Sequence, residues 1–374
     1  MKWVVVSVFY PFRGGIAQFN EALVDELLDQ GHEVHCIGFY LQYPKMLFPG
    51  KSQTVAIEDP NRTRSENLIS SINPFTWRKT KKRIKAIQPD VLLVPYWSSY
   101  ISPALTSISK IKSIFTLGLF HNFLPHERKP WDRFLASQFI NKTDASISLS
   151  SHVSEQIIKA RPKLPHLSSF HPIYEHFSYT NDYGHNWLED HNISESRTTI
   201  LFFGLIREYK GLDLLLEAFA MLDASYQLLI AGENYTKFTM VDFLAPLSSE
   251  ARNRVMIKEG FIPDAEVGSI FKSIDLVVLP YKRASQSGVT AIAMNYGVPV
   301  IASNVGGLKD YISDGKTGSL VPPNNPKAIA EAILKWKPDY IKQQREVIFK
   351  HAEKFKWKKF VKELTAFTIE RKNH

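Results

Sequence analysis

Three stretches of this sequence gather cations and glycines where a ligand could be held. The first is FFGLIREYKGLDLLLEAF, in which Gly204, Arg207, Lys210 and Gly211 stand between an apolar run and a helical pattern. Arg offers a planar fork and Lys a mobile point charge, so the pair beside a helix start suits a diphosphate. A solvated charged turn is the plainer alternative, and the combination of both cations with glycines favours binding. The second is RGGIAQFN. Gly14 and Gly15 let the backbone approach a ligand ahead of a helix start, but two glycines alone leave an ordinary tight turn equally open. GxGxxG is absent there, so a dinucleotide fingerprint is not supported. The third is LPYKRASQSGVTAIAMNYGVPVIAS, from Leu279 to Ser303. Its order of apolar run, Gly-containing loop, small-residue helix and second apolar run is that of a phosphate site. It holds no carboxylate and no cation beyond Lys282 and Arg283.

LGLFHNFLPHERKPW adds His121 at a strand end and His126 five residues later. Metal ligands on one helical face need i and i+4 spacing, which this pair misses, and Pro125 breaks the helix. By itself His121 reads as a capping or solvent histidine. Proton transfer or a bond to a hydroxyl group is the alternative. No Cys/His metal cluster, GxSxG elbow or Walker GxxxxGK[ST] sequence occurs.

These loops need elements to position them. In the first half, WVVVSVF, EVHCIGF, DVLLVPY, SIFTLGLF and DASISLS are strand-like runs. Between the first two, Ile16, Phe19, Leu23 and Leu27 fall on one helical face and Gly31 supplies a stop. Continuous apolar strands alternating with helices imply a parallel sheet covered on both faces. The second half repeats the pattern with TILFFG, YQLLIAG, RVMIKEG, DLVVLPY and VPVIAS. Between these lie two helical stripes, one carrying Leu212, Leu215, Leu216, Phe219 and Leu222, the other Val267, Ile270, Phe271 and Ile274. The expected fold is α/β: two facing Rossmann-like domains with an inter-domain cleft. Ligands then bind beyond the carboxyl ends of strands. From Ile173 to Thr198 the texture turns polar and aromatic. The domains are therefore placed at 1–175 and 199–345, with a linker at 176–198. The tail, 346–374, reads as one basic amphipathic helix returning to the first domain.

At 374 residues two domains are expected. The 44% hydrophobic and 22% charged composition is that of a soluble globular chain. No apolar run approaches the ~20 residues of a membrane span, and the N-terminus reads as a first strand rather than a leader. Cys36 alone excludes an internal disulfide and fits a reducing compartment. A net charge of +9 suggests an anionic partner. The basic pattern WRKTKKRIK, residues 77–85, and the basic tail could contact an anionic membrane surface. Trp77 alone gives little support for stacking on nucleic acid, so no nucleic-acid partner is expected.

Taken together, GGIAQFN, GLIREYKGLDLLLEAF, LLIAGE, GFIPDAEVGSIFKSIDLVVLPY, SGVTAIAMNYGVPVIASNVGGLKDYI and DGKTGSLVPPNNPKAIAEAI resemble, in order, the retaining GT-B glycosyltransferases. The similarity is to the large group 1, family-four class. It is dense in the second half, most specific from Asp275 to Pro322, and sparse in the first half. The resemblance implies a nucleotide-sugar donor, UDP- or GDP-linked, on the C-terminal domain. It implies a saccharide or polyprenyl-linked acceptor on the N-terminal one, and transfer of a hexose with retention and no obligatory metal or other cofactor. His121, Arg207 and Lys210 take the catalytic places. Gly14, Gly15 and Gly204 join the donor contacts, with Phe261 and Ile262 beside the base. In this chain Leu205 stands where the family's phosphate arginine usually stands, and Arg207 is expected to reach the same phosphate. The family's Glu-x7-Glu is also missing: Ser285 and Ala293 occupy the two places. Ser285, Gln286 and Ser287 can still bond sugar hydroxyls, and the N–H groups of Gly288, Val289 and Thr290 remain for phosphate. The resemblance implies that an SQSG-type loop marks a subgroup of the family.

The expected function is a cytoplasmic hexosyltransferase in cell-surface polysaccharide synthesis, with peripheral contact at the inner membrane face. The alternatives are a degenerate protein that binds nucleotide sugars without turnover and a nucleotide-sugar epimerase on the same scaffold.

Overall fold

The computed structural model describes residues 1–44, 52–55, 63–125, 127–175 and 194–373. His126 and most of the linker assigned from sequence, 176–193, lie outside them. The chain divides into two compact units: Met1–Phe170 with Trp357–His374, and His171–Lys356.

In the first unit the chain runs β1 (Lys2–Ser7), α1 (Gly15–Asp29), β2 (Glu33–Leu41), β3 (Ser65–Ser70), α2 (Pro74–Ile87) and β4 (Val91–Tyr96). It continues through α3 (Ser102–Ile108), β5 (Phe115–Phe120), α4 (Asp132–Ile140), β6 (Ala145–Ser148), α5 (Ser151–Ala160) and β7 (His166–Ser168). These strands form one sheet in the order β3-β2-β1-β4-β5-β6-β7, and every pairing is parallel. Parallel strands need crossovers, and the helices supply them on both faces. Ile84, Leu105, Phe139 and Ile157 from α2 to α5 cover one face, against Val4, Val6 and Val94. Phe19, Leu23 and Leu27 of α1 cover the other, against Trp3, Val5 and Leu93.

The second unit runs β8 (Thr198–Phe203), α6 (Leu212–Phe219), β9 (Tyr226–Gly232), α7 (Met240–Leu244), α8 (Ser249–Arg252) and β10 (Val255–Glu259). Then come α9 (Asp264–Lys272), β11 (Leu276–Leu279), α10 (Gly288–Asn295), β12 (Val300–Ser303), β13 (Gly318–Val321), α11 (Pro326–Lys335) and α12 (Pro338–Ala352). Its sheet is also wholly parallel, in the order β10-β9-β8-β11-β12-β13. All six residues of β8 and all seven of β9 are buried, as a strand covered on both faces requires.

Three strands escaped the sequence reading. β3 is a polar edge strand, and β7 at the other edge has only three residues. β13 opens on Gly318, a poor strand former that is needed here: a Cβ would stand 2.0 Å from the Val300 carbonyl oxygen. The tail is also not one helix. α12 ends at Ala352, a 3-10 turn spans Glu353–Phe355, and α13 (Trp357–Lys372) follows. α13 lies on α1. Its Trp357, Phe360, Val361 and Leu364 are buried in the same cluster as Phe19 and Leu23. The apolar side of the tail is thus consumed within the first unit. Lys372 pairs with Asp90, and Lys359 and Arg371 pair within the helix.

Candidate functional site

The loops at the carboxyl ends of the second sheet interlock through their glycines. Gly204 ends β8 with φ of +91°, a conformation that favours glycine. Its carbonyl approaches the end of β9 so closely that a Cβ on Gly232 would stand 1.9 Å from that oxygen. The chain then runs out through Leu205 and Arg207 into a 3-10 turn, Glu208–Lys210. Gly211 follows with φ of +71°, and a Cβ there would lie 2.2 Å from the Pro280 carbonyl oxygen. The loop after β8 is therefore seated on the loop after β11.

This seating determines where Lys210 goes. A Cβ built on Gly204 would stand 3.4 Å from the Lys210 Nζ and 4.0 Å from the Val289 side chain. The ammonium thus lies close to the start of α10. It also stands 5.5 Å from the centre of the Tyr281 ring, a favourable place for a cation. Lys210 is half-buried, and burial together with the positive charge of Arg207 pushes its pKa down from 10.5 to about 8. Arg207 rests over the Tyr235 ring, 5.0 Å from its centre. Two cations are thus held side by side at a strand end, at an electrostatic cost that an arriving anion would remove.

α10 begins at Gly288 with Ser287 as its cap residue, and no side chain bonds to its first N–H groups. The Ser287 side chain lies instead beside the buried Tyr281. The Thr290 N–H donates to the Ser287 carbonyl, 3.2 Å. The expected trio of backbone donors therefore narrows to Gly288 and Val289, whose N–H groups meet no acceptor among the described residues. Ser285 is buried, and its carbonyl accepts the Gly307 N–H, 3.1 Å. Gly306 makes that contact possible: at φ of +54° it lies so close that a Cβ would stand 1.7 Å from the Ala284 carbonyl oxygen. The loop after β12 thus braces the SQSG loop from behind.

A strap made by residues 171–174 braces it from another side. The edge of the buried Tyr174 ring stands 3.2 Å from where a Gly288 Cβ would be. Its hydroxyl is 3.3 Å from His171 Nε2, and the His171 N–H donates to the Tyr311 hydroxyl, 2.5 Å. Burial pushes the His171 pKa down to about 4, so the ring is neutral near pH 7.

The remaining sequence-derived residues fall as follows. Ile262 is buried and Phe261 exposed in the loop after β10, with Gly260 N–H donating to the Gly232 carbonyl, 3.0 Å. Gln286 is half-buried in the SQSG loop. Gly14 and His121 belong to the first unit. Gly14 has φ of +100° and caps α1, whose first turn opens at Gly15. His121 follows β5, is buried, and meets the Phe19 ring edge-on at 4.6 Å. Its N–H donates to the Tyr96 carbonyl, 2.9 Å. Ala293, at the second missing glutamate, is fully buried inside α10, so a methyl fills that place.

Tyr281, Tyr235, Tyr174 and Gly306 were not singled out from sequence. Gly306 had a legible signal, a glycine pair two residues after VPVIAS. The tyrosines had none, since nothing in their spacing distinguishes a ring beneath a cation from a core ring. Among the described residues no group of three or more His, Cys, Asp or Glu side chains is arranged to hold a metal ion.

Two family models match the chain: Glycosyltransferase Family 4 over residues 13–189 and Glycosyl transferases group 1 over residues 185–355. An uncharacterized glycosyltransferase of Methanocaldococcus jannaschii is 23% identical over 368 residues, 96% of each chain. The D-inositol 3-phosphate glycosyltransferase of Corynebacterium glutamicum is 30% identical over 169 residues, 42% of this chain and 40% of that protein. Among solved structures, the Anabaena HepE protein in complex with UDP-glucose superposes with a TM-score of 0.73 at 16% identity, covering 97% of this chain and 99% of its own.

Proposed function

The chain belongs to the GT-B glycosyltransferases of group 1, and from that premise we propose that it transfers a hexose from a UDP- or GDP-sugar, with retention, to a saccharide or polyprenyl-linked acceptor. Cell-surface polysaccharide synthesis is the setting this acceptor class suits. One observation carries the donor assignment: the Lys210 ammonium is held near the uncapped start of α10, beside Arg207 and over Tyr281. A nucleoside diphosphate is the anion that matches two cations and two backbone donors. HepE, with its bound UDP-glucose, favours uridine for the base.

In the proposed reaction the acceptor hydroxyl oxygen bonds to the anomeric carbon from the face that the diphosphate leaves, which retains the configuration, and gives its proton to that departing diphosphate. The bond from that carbon to the diphosphate breaks, and its electron pair goes to the β-phosphate oxygen. Lys210 and the N–H groups of Gly288 and Val289 meet the charge that develops there, which is where preorganised donors lower a barrier most. Arg207 holds the same diphosphate, and this part of the reaction is proposed to need no metal. Ser285 and Gln286 take hexose hydroxyls. Phe261 and Ile262 take the base, and His121 the transferred sugar, on the sequence resemblance alone.

Thermal unfolding with a panel of UDP- and GDP-sugars tests the proposal. A donor at a hundredfold excess over its Kd stabilises by about 2.7 kcal/mol, and Lys210→Gln should abolish that shift. Stabilisation by none of them would refute the donor assignment. A second reading, binding without turnover, is favoured by Ser285 and Ala293 at the two glutamate places. Donor hydrolysis or transfer to any acceptor excludes it. Interconversion of free nucleotide sugars with no acceptor present would instead support an epimerase.

A further inference from the structure

The first unit carries a surface that its sheet and core do not explain. α2 starts at a firm cap: the Asn73 side chain accepts the Phe75 N–H, 3.1 Å, and Pro74 takes the first helical position. This start leaves Phe75 76% exposed and Ile72 57% exposed. The next two turns carry Arg78, Lys79, Lys82 and Lys85, all exposed. None of these four has a carboxylate partner among the described residues. Arg83 on the same helix does, pairing with Glu66. α2 itself contains no acidic residue.

α4 begins in a comparable way. The buried Asp132 accepts the Lys129 N–H, 2.6 Å, and the Ser99 hydroxyl, 2.5 Å. Ser99 opens the short turn before α3, so the starts of α3 and α4 are tied together. That tie leaves Trp131 54% exposed and Phe134 63% exposed, with the Lys129 ammonium 5.5 Å above the Trp131 ring. Arg128 and Arg133 stand exposed on either side. α3 contacts both α2 and α4 on one face of the sheet. All three helices follow strands of one parallel sheet, β3, β4 and β5, so their starts share its carboxyl edge.

We propose that this edge is a docking surface for an anionic lipid bilayer. Exposed Phe and Trp beside Lys and Arg match the two halves of that interface: rings enter at headgroup level while cations meet anionic lipid. The apolar side chains stand at separate helix starts, so they suit a fluid surface better than a shaped protein partner. The carboxylate-free α2 supplies the charge complementarity. The C-terminal helix takes no part, because its apolar side is buried on α1. The surface shares the first sheet's carboxyl edge with Gly14 and His121, but its test reads vesicle binding and not transfer, so each reading can fail without the other.

Co-sedimentation of the full chain with phosphatidylglycerol–phosphatidylcholine vesicles tests the proposal, at low and high salt and against pure phosphatidylcholine. The wild type should bind only the anionic vesicles and be released by salt. Phe75→Ser with Trp131→Ser, and separately Lys79→Glu with Lys82→Glu, should each lower the partition coefficient by about tenfold or more. All four side chains are exposed, so unchanged thermal unfolding is expected and separates lost docking from lost folding. Equal binding to neutral vesicles, no binding to either, or variants that bind like the wild type would each overturn the proposal. So would release by free glycerol phosphate, which points to a headgroup site, or salt-sensitive capture by RNA with none by vesicles.

Discussion

Lys210 should make donor binding depend on pH in a way that few single residues do. With its pKa pushed down to about 8, the amine is about three-quarters protonated at pH 7.5 and about 3% protonated at pH 9.5. A bound diphosphate favours the ammonium and raises that pKa again. If only the protonated form binds tightly, the Kd for a nucleoside diphosphate should rise about 25-fold across that range. The terminal phosphate, with an ionisation near pH 6, is already charged throughout and adds little slope. Isothermal titration in buffers of different ionisation enthalpy should also show proton uptake, largest near pH 9. Lys210→Arg keeps the cation but cannot lose its proton in this range, so its Kd should be flat with pH even if it is weaker. A flat wild-type profile to pH 9.5, or proton release on binding, would refute the placement of this ammonium against the diphosphate.

The same shift makes Lys210 a cost to the unliganded fold. Unfolded, the amine titrates near 10.5, and folded at about 8. The penalty is therefore full below pH 8, shrinks between 8 and 10.5, and is gone above. Lys210→Met should raise stability near pH 7 by about 1–2 kcal/mol after allowance for solvent screening, and the gain over wild type should narrow by pH 9.5 in denaturant titrations. Arg207→Ala removes a charge-assisted contact worth about 1.5–3 kcal/mol, so donor affinity should fall roughly 10- to 100-fold; unchanged affinity would show that Arg207 does not replace the missing arginine at Leu205. Gly306→Ala forces a Cβ against the Ala284 carbonyl and should weaken donor binding and lower Tm together, whereas Gly14→Ala, with nothing within 4 Å of its Cβ, should cost only its backbone strain, about 1–3 kcal/mol, at a φ/ψ open to little but glycine. Phe360→Ala should destabilise by about 3–5 kcal/mol in equilibrium unfolding, because its ring is buried between α13 and α1.

The strands whose apolar runs are continuous were legible because burial on both faces demands that pattern of β1, β4, β8 and β9. The cation pair was legible too, since Arg207 and Lys210 stand among glycines at the end of such a strand. The edge strands β3 and β7 were not, because half-exposed strands carry no such run. The break between α12 and α13 was also hidden, because basic helical residues continue through the turn at Glu353–Phe355. Sequence alone therefore determined a doubly wound α/β chain with a cationic, glycine-rich strand end in its second half. Only the tertiary structure decided which donors are free and which are used. Thr290 N–H is taken by the Ser287 carbonyl, and the Ser285 carbonyl by Gly307 N–H. It also lowered the pKa of Lys210, since that shift comes from burial and from Arg207 rather than from any residue type. Composition and spacing report what each side chain is able to do. Close approach of Gly306 to Ala284 and of Gly211 to Pro280 fixes what it has left to do it with.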